Sequence, residues 1–162
     1  MDHFIISQAL LCVTIIFDIA SFQFKRRRII LLCFFVAAAF NSAHFFFLQQ
    51  WTGAGLMAIG SLRYLISIFI TSQKAAIPFM MFAVVTAFFT YSGIISILAC
   101  SGSLLKTVAA FCRNDKHLRQ IMMLGTVFWI VHNGLAESPL GVVMEVLFLA
   151  SNLVGYYRFY YR

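Results

Sequence analysis

The sequence predicts an all-α membrane protein. Seven transmembrane helices are expected, as two parallel three-helix repeats joined by a linker helix, with the N-terminus outside and the C-terminus cytoplasmic. Three observations lead there. First, the 162-residue chain is 62% hydrophobic and only 10% charged, with a mean hydropathy of +0.93; a soluble domain is roughly 45–50% apolar and about 25% charged. Second, the apolar residues fall into runs close to the ~20 residues that span a bilayer as a helix. Third, the Lys and Arg residues, which carry a net charge of +7, gather at alternate gaps between those runs.

The first run, residues 4–24, ends at the basic block Lys25-Arg26-Arg27-Arg28. It reads as an uncleaved membrane helix and not a secretory signal, because the chain opens Met1-Asp2-His3 and its charges follow the apolar run. The second run, 29–48, ends at Gln49-Gln50. The third, 51–71, opens with Trp51 and ends near Lys74. A shorter run, 75–90, closes at Tyr91-Ser92-Gly93. The fifth, 94–112, stops at a second basic cluster containing Arg113, Lys116 and Arg119. The sixth covers 118–136. Glu137-Ser138-Pro139 then forms a turn, with Pro139 suited to the first helical position, and the seventh run, 140–157, ends in an aromatic and basic edge. Helices are preferred over strands because every backbone polar group in lipid needs an internal partner. One transmembrane domain is expected over 1–162, with repeat one at 4–71, the linker at 75–90 and repeat two at 94–158.

Seven spans put the charges on one side. Lys25, Arg26, Arg27, Arg28, Lys74, Arg113, Lys116, Arg119, Arg158 and Arg162 share it, and the opposite loops carry no Lys or Arg. By the positive-inside rule the charged side is cytoplasmic, which makes both basic clusters topology anchors. Fusing the fourth and fifth runs would break this asymmetry.

The two clusters also suggest duplication. An offset of 92 residues lays Ile5 on Ile97, Arg27 on Arg119, Leu32 on Leu124 and Asn41 on Asn133; an offset of 88 lays Gly53 on Gly141. Three helices, a single linker and three more leave the repeats parallel, a plan known among transporters.

Asp18, Arg63, Lys106 and Glu145 fall inside apolar runs, where each costs about 2.5–3.5 kcal/mol at a helix centre. Two acids against two bases suggest pairing. Ser7, Leu11, Thr14, Asp18 and Ser21 share one helical face, and Lys106 lies on the corresponding face of the fifth run, so an Asp18–Lys106 pair is expected. Glu145 is expected within reach of Arg63, although Arg63 and Lys106 have the alternative of snorkelling to the cytoplasmic edge. Asn41 and Asn133 are candidates to flank a solute, with interhelical hydrogen bonding as the competing reading. His44 and His132 read as structural residues or proton shuttles. Asn152, on the face of Glu145, completes the candidates for a solute pathway. The four cysteines read as small hydrophobes. The residues point to no metal site, cofactor, catalytic constellation or nucleic-acid partner, so an enzyme is not expected.

Ser21-Phe22-Gln23 before the basic block, Asn41 with His44, Trp51-Thr52-Gly53-Ala54, Leu62-Arg63-Tyr64, Met144-Glu145 and Ser151-Asn152 together resemble the YgjV family of bacterial inner-membrane proteins. That resemblance implies an inner-membrane location and a fold distantly similar in plan to the SWEET, PQ-loop and KDEL-receptor group. The Pro-Gln pair of PQ-loop proteins is absent, and the only prolines are Pro78 and Pro139. Asn152 resembles a solute-flanking asparagine of SWEETs. The leading functional expectation is a small polar-solute transporter or facilitator with its site on the pseudo-two-fold axis. The alternative is a non-transporting receptor-like or assembly protein whose intramembrane ion pairs are structural. The lipid bilayer is the expected surrounding, and an apolar surface of this kind suits monomer and homo-oligomer alike.

Overall fold

The computed structural model describes residues 2–161, so the expectations placed on Met1 and Arg162 lie outside the described residues. Seven α-helices carry the chain: α1 Asp2–Ser21, α2 Arg27–Phe47, α3 Trp51–Ser67, α4 Ala76–Phe89, α5 Ile94–Ala110, α6 Asp115–Leu135 and α7 Pro139–Tyr160. A single 3-10 turn, Gln73–Ala75, leads into α4. There is no strand among the described residues.

Local chemistry explains the boundaries. The side chain of Asn114 caps α6 by accepting from the Lys116 amide at 2.9 Å. Pro139 occupies the first turn of α7 after Ser138, where its missing N–H costs nothing. α2 and α6 end alike. Gln49 and Glu137 both adopt a left-handed φ, 58° and 51°. The amides of Gln50 and Ser138 each reach back five residues, to the carbonyls of Phe45 and Asn133, both at 3.0 Å. Such 6→1 closures satisfy carbonyls that the helix end leaves open.

These features recur at a constant spacing. Arg27–Phe47 and Asp115–Leu135 both have 21 residues and begin and end 88 positions apart, as do the starts of α3 and α7. The boundaries of α2 and α6 thus lie four residues, about one helical turn, from the expected offset of 92, whereas α1 and α5 start 92 residues apart and end 89 apart. The matching arginines attracted the offset of 92: Arg27 is the first residue of α2, whereas Arg119 lies more than a turn inside α6. At an offset of 88, Asn133 corresponds to Phe45, not Asn41, and Asp18 corresponds to Lys106.

Neighbouring helices close a ring in the order α1, α2, α3, α5, α6, α7 and back to α1, with α4 outside it against α3 and α5. α4 buries only Ala76, Ala83 and Ala87 and exposes Ile77, Met81, Phe82, Phe88 and Phe89. Elsewhere the polarity is inverted relative to a soluble protein. Asn41, His44, Arg63, Lys106, Arg119, Asn133, Glu145 and Asn152 are buried, while large apolar side chains cover the outside. Small residues let backbones approach, as in membrane bundles. A Cβ at Gly102 would lie 3.1 Å from the Gly125 carbonyl, and one at Gly125 would lie 3.1 Å from that of Gly102. By length and hydropathy alone, α2 and α7 qualify as membrane-crossing; Ile5–Ser21, Gln73–Phe89 and Ile94–Ala110 are apolar but shorter.

The loops gather at two ends. Arg27 meets the end of α5, Arg119 meets the end of α1, and Gln73 meets Val108, which brings 22–27, 73 and 108–119 together. Thr52 bonds Thr90, and residues 49–53, 89–96 and 132–137 form the opposite end. Lys25, Arg26, Arg28, Lys74, Arg113 and Lys116 all belong to the first end; the second contains Glu137 and no Lys or Arg.

Candidate functional site

The helical faces that pack inward are those the sequence singled out. Ser7, Leu11, Thr14 and Ser21 of α1 are buried, as are Ala99, Ser103, Lys106 and Ala110 of α5 and Gly141, Glu145, Phe148, Asn152 and Gly155 of α7. These faces converge on a cavity of about 30 Å³ lined by residues that include Thr14, Asp18, Asn41, Arg63, Lys106 and Glu145. Five of the eight predicted pathway residues therefore meet at one place.

The pairing differs from expectation. Lys106 Nζ donates to both carboxylate oxygens of Glu145, at 3.1 and 3.2 Å, with both side chains buried. It also lies 5.0 Å from the centre of the Phe148 ring. Asp18 is not its partner: among the described residues the Asp18 carboxyl has neither a hydrogen bond nor an ion pair, although it lines the same cavity. The reason is geometric. Lys106 directs its hydrogen bonds to both oxygens of Glu145 on α7 and makes none to α1. Arg63 does not meet Glu145 either. It points across to α5, where Nη1 donates to the Ser103 carbonyl at 3.1 Å and to Thr107 Oγ1 at 2.7 Å, and its guanidinium lies 4.4 Å from the Tyr64 ring centre. Neither Arg63 nor Lys106 snorkels; they are 3% and 7% exposed.

The remaining candidates stand apart. His44 Nδ1 lies 2.8 Å from Ser7 Oγ and 2.9 Å from the Ser7 carbonyl; His132 Nδ1 lies 2.9 Å from the Ile95 carbonyl. Each thus ties its helix to a partner 37 residues earlier. Asn152 donates to the Arg119 carbonyl at 2.8 Å and lines none of the cavities described. Asn133 lies beside Gly141 at the α6–α7 turn, away from Asn41, so the two asparagines do not flank a common space.

Two features were missed in the sequence. The first is a vestibule of about 570 Å³ at the end without Lys or Arg, lined by Gln49, Gln50, Trp51, Thr52, Ser96, His132 and Glu137 among others. His132 is 2% exposed, and its Nε2 has no partner. The layer of Phe45, Leu56, Met57, Ala99 and Trp129 separates this vestibule from the central cavity. Only the concentration of Gln, Ser and Thr in loops without Lys or Arg signalled it.

The second is a reciprocal clasp at the charged end. Arg27 donates to the carbonyls of Ala110 and Cys112, at 2.6 and 2.8 Å. Arg119 donates to those of Phe22 and Phe24, at 3.4 and 2.7 Å. Each arginine of one half closes the open helix end of the other, where a cation also meets the negative pole of the helix. Between clasp and cavity, Phe22, Phe34, Tyr64 and Phe148 pack with ring centres 4.9 to 5.5 Å apart. The basic clusters were expected as anchors only; their inward-facing arginines also seal this end.

Along the bundle the order is therefore a wide mouth of mixed polarity, an apolar layer, a small charged cavity, an aromatic plug and a guanidinium seal. The family described as bacterial inner membrane protein, Imp-YgjV, matches residues 5–162. The chain is similar to Inner membrane protein YgjV of Escherichia coli (strain K12), 26% identical over 117 residues that cover 72% of this chain and 64% of that protein. It thus spans less than two thirds of that relative's length. No solved structure matches.

Proposed function

The chain belongs to the Imp-YgjV family of bacterial inner membrane proteins, and from that premise we propose that it is a seven-span carrier of a small polar solute, built as two parallel three-helix repeats around the charged cavity. The inner membrane is its location. One observation carries the transport reading: a vestibule of mixed polarity opens at one end, a buried cavity gathers Asp18, Asn41, Arg63, Lys106 and Glu145, and crossed arginines close the other end. Ionisable groups held inside a membrane bundle mark substrate or ion pathways. A site between two repeats, accessible from one side at a time, is the arrangement that alternating access requires.

The repeat reading is supported by the offset of 88 shared by helix ends, left-handed turn residues and 6→1 bonds. It is also supported by the ring of contacts, in which α3 against α5 corresponds to α7 against α1. The seven-span reading is supported by the segregation of Lys and Arg to one end, which makes that end cytoplasmic. α3, α4 and α5, with 17, 14 and 17 residues, are short for a full span. At about 1.5 Å per residue they still approach the thickness of a bilayer that thins to meet them.

Proteoliposomes containing the purified protein, challenged with a panel of labelled sugars, polyols, amino acids and small organic acids, test the proposal. Saturable uptake of at least one solute is expected, with uptake reduced at least about tenfold in Lys106→Met. Protein-independent leakage for every solute supports instead a non-transporting membrane protein in which the Lys106–Glu145 pair is a structural lock.

A further inference from the structure

The central cavity contains a closed ion pair and two open charges. Lys106 and Glu145 satisfy one another. Thr14 Oγ1 is committed to the carbonyls of Leu10 and Ala37, at 3.2 and 3.3 Å. What remains unsatisfied is of two kinds. On α1 and α2, the half-buried Asp18 carboxyl makes no hydrogen bond or ion pair among the described residues, and Asn41, 4% exposed, has a buried amide oxygen without a donor. On α3, Arg63 has no carboxylate partner, and its buried Nε has no acceptor. Acceptors without donors therefore line one wall, and a cation without an anion lines another.

We propose that this site recognises a small zwitterion, with its ammonium group on Asp18 and Asn41 and its carboxylate on Arg63. The inference rests on the carrier reading and narrows its solute. Three considerations carry it. A primary ammonium has three donors and no acceptor, which matches a carboxylate and an amide oxygen. A carboxylate matches the planar fork of a guanidinium, which binds it through paired N–H groups. The third is charge balance. Asp18, Glu145, Arg63 and Lys106 sum to zero when ionised; an added lone cation or anion leaves net charge in a medium of low dielectric, whereas a zwitterion adds none.

The size of the cavity sets the rest of the description. About 30 Å³ admits a water-sized group, not a whole solute, so the site is closed in this structure. Met57 and Met144 line it, and Met57 also belongs to the layer beneath the vestibule. Unbranched thioether side chains repack at low cost, which makes this layer the natural point of admission. Solutes with a short backbone, such as glycine and alanine, are favoured over bulky ones.

The test uses the full-length protein with glycine, glycine betaine, acetate, methylamine and glucose as probes. Glycine is chosen because it carries both charged groups on the smallest frame, and glycine betaine because it keeps the charges but has no N–H. Thermal melting of the detergent-solubilised protein and uptake by proteoliposomes are measured in parallel. Glycine is expected to raise the melting temperature and to be taken up at least ten times faster than acetate, methylamine or glucose, with betaine much weaker. Asp18→Asn and Arg63→Gln are each expected to abolish both effects. Asn41→Ala, which changes no charge, is expected to weaken them several-fold and serves if a charge variant fails to fold. Uptake of glucose or acetate without uptake or stabilisation by glycine overturns the zwitterion assignment and leaves the carrier reading standing. Stabilisation by glycine without uptake of any probe retains the assignment and overturns the carrier reading. No stabilisation and no uptake by any probe overturns both.

Discussion

Each of the four charges that line the central cavity finds a different solution to the cost of leaving water. Lys106 and Glu145 neutralise one another, Arg63 uses a backbone carbonyl and a hydroxyl, and Asp18 remains without a partner. Removing one member of a buried pair strands the other, at a cost of about 3–5 kcal/mol, whereas replacing both with apolar groups is often neutral. Lys106→Met and Glu145→Gln are therefore each expected to destabilise the protein by about that amount, with Lys106→Met/Glu145→Leu recovering most of it. Chemical unfolding in detergent, arranged as a double-mutant cycle, checks this. The same cycle with Asp18 in place of Glu145 is expected to show coupling below about 1 kcal/mol, because no direct contact links it to Lys106. Presence and depth of these residues were legible in the sequence, since a charge inside an apolar run is conspicuous. Their pairing was not. Asp18 and Glu145 both line the cavity with Lys106, and only the packing of the helices gives Glu145 the contact.

Among the elements, α2 and α6 do more than pack into the ring. Both begin in a basic cluster and turn one arginine inward to the other half's helix end. Space for the Arg119 arm comes from Gly155, where a Cβ would lie 2.5 Å from Arg119 Nη1 and 2.5 Å from the Phe22 carbonyl. Gly134 near the end of α6 faces open space. Overpacking of this kind typically costs about 1–3 kcal/mol, so Gly155→Ala is expected to lower stability by that order. Gly134→Ala is expected to be neutral or to raise stability by up to about 1 kcal/mol through helix propensity. Paired thermal melts of the two variants read the difference, and an unchanged melt for Gly155→Ala would mean that the clasp tolerates a displaced arginine. The arginines were conspicuous as a matching pair of clusters, but their reach to the far helix ends was not legible, because Arg27 stands first in α2 while Arg119 lies more than a turn inside α6.

At the scale of the whole molecule, polarity and charge are distributed as a bilayer would sort them. Apolar side chains cover the outside, polar ones fill the ring, and the Lys and Arg of the loops lie at one end. In a variant with Cys12, Cys33, Cys100 and Cys112 replaced, single cysteines at Gln50 and Ser92 are expected to react with an impermeant maleimide in intact cells once the outer membrane is permeabilised. Cysteines at Arg28 and Arg113 are expected to react only after the inner membrane is broken. The reverse pattern would invert the orientation, and labelling of both sets would remove the seven-span topology. Helix number, approximate boundaries, buried faces and the charged end could all be read from the chain alone. Spanning length, helical period and the position of Lys and Arg are local properties, and each is written along one dimension. The partner of Lys106, the space above it and the crossed arginines needed the folded bundle. A shift of one turn, about 5.4 Å, or a modest rotation of one helix leaves every one of those local properties unchanged while exchanging which side chains touch.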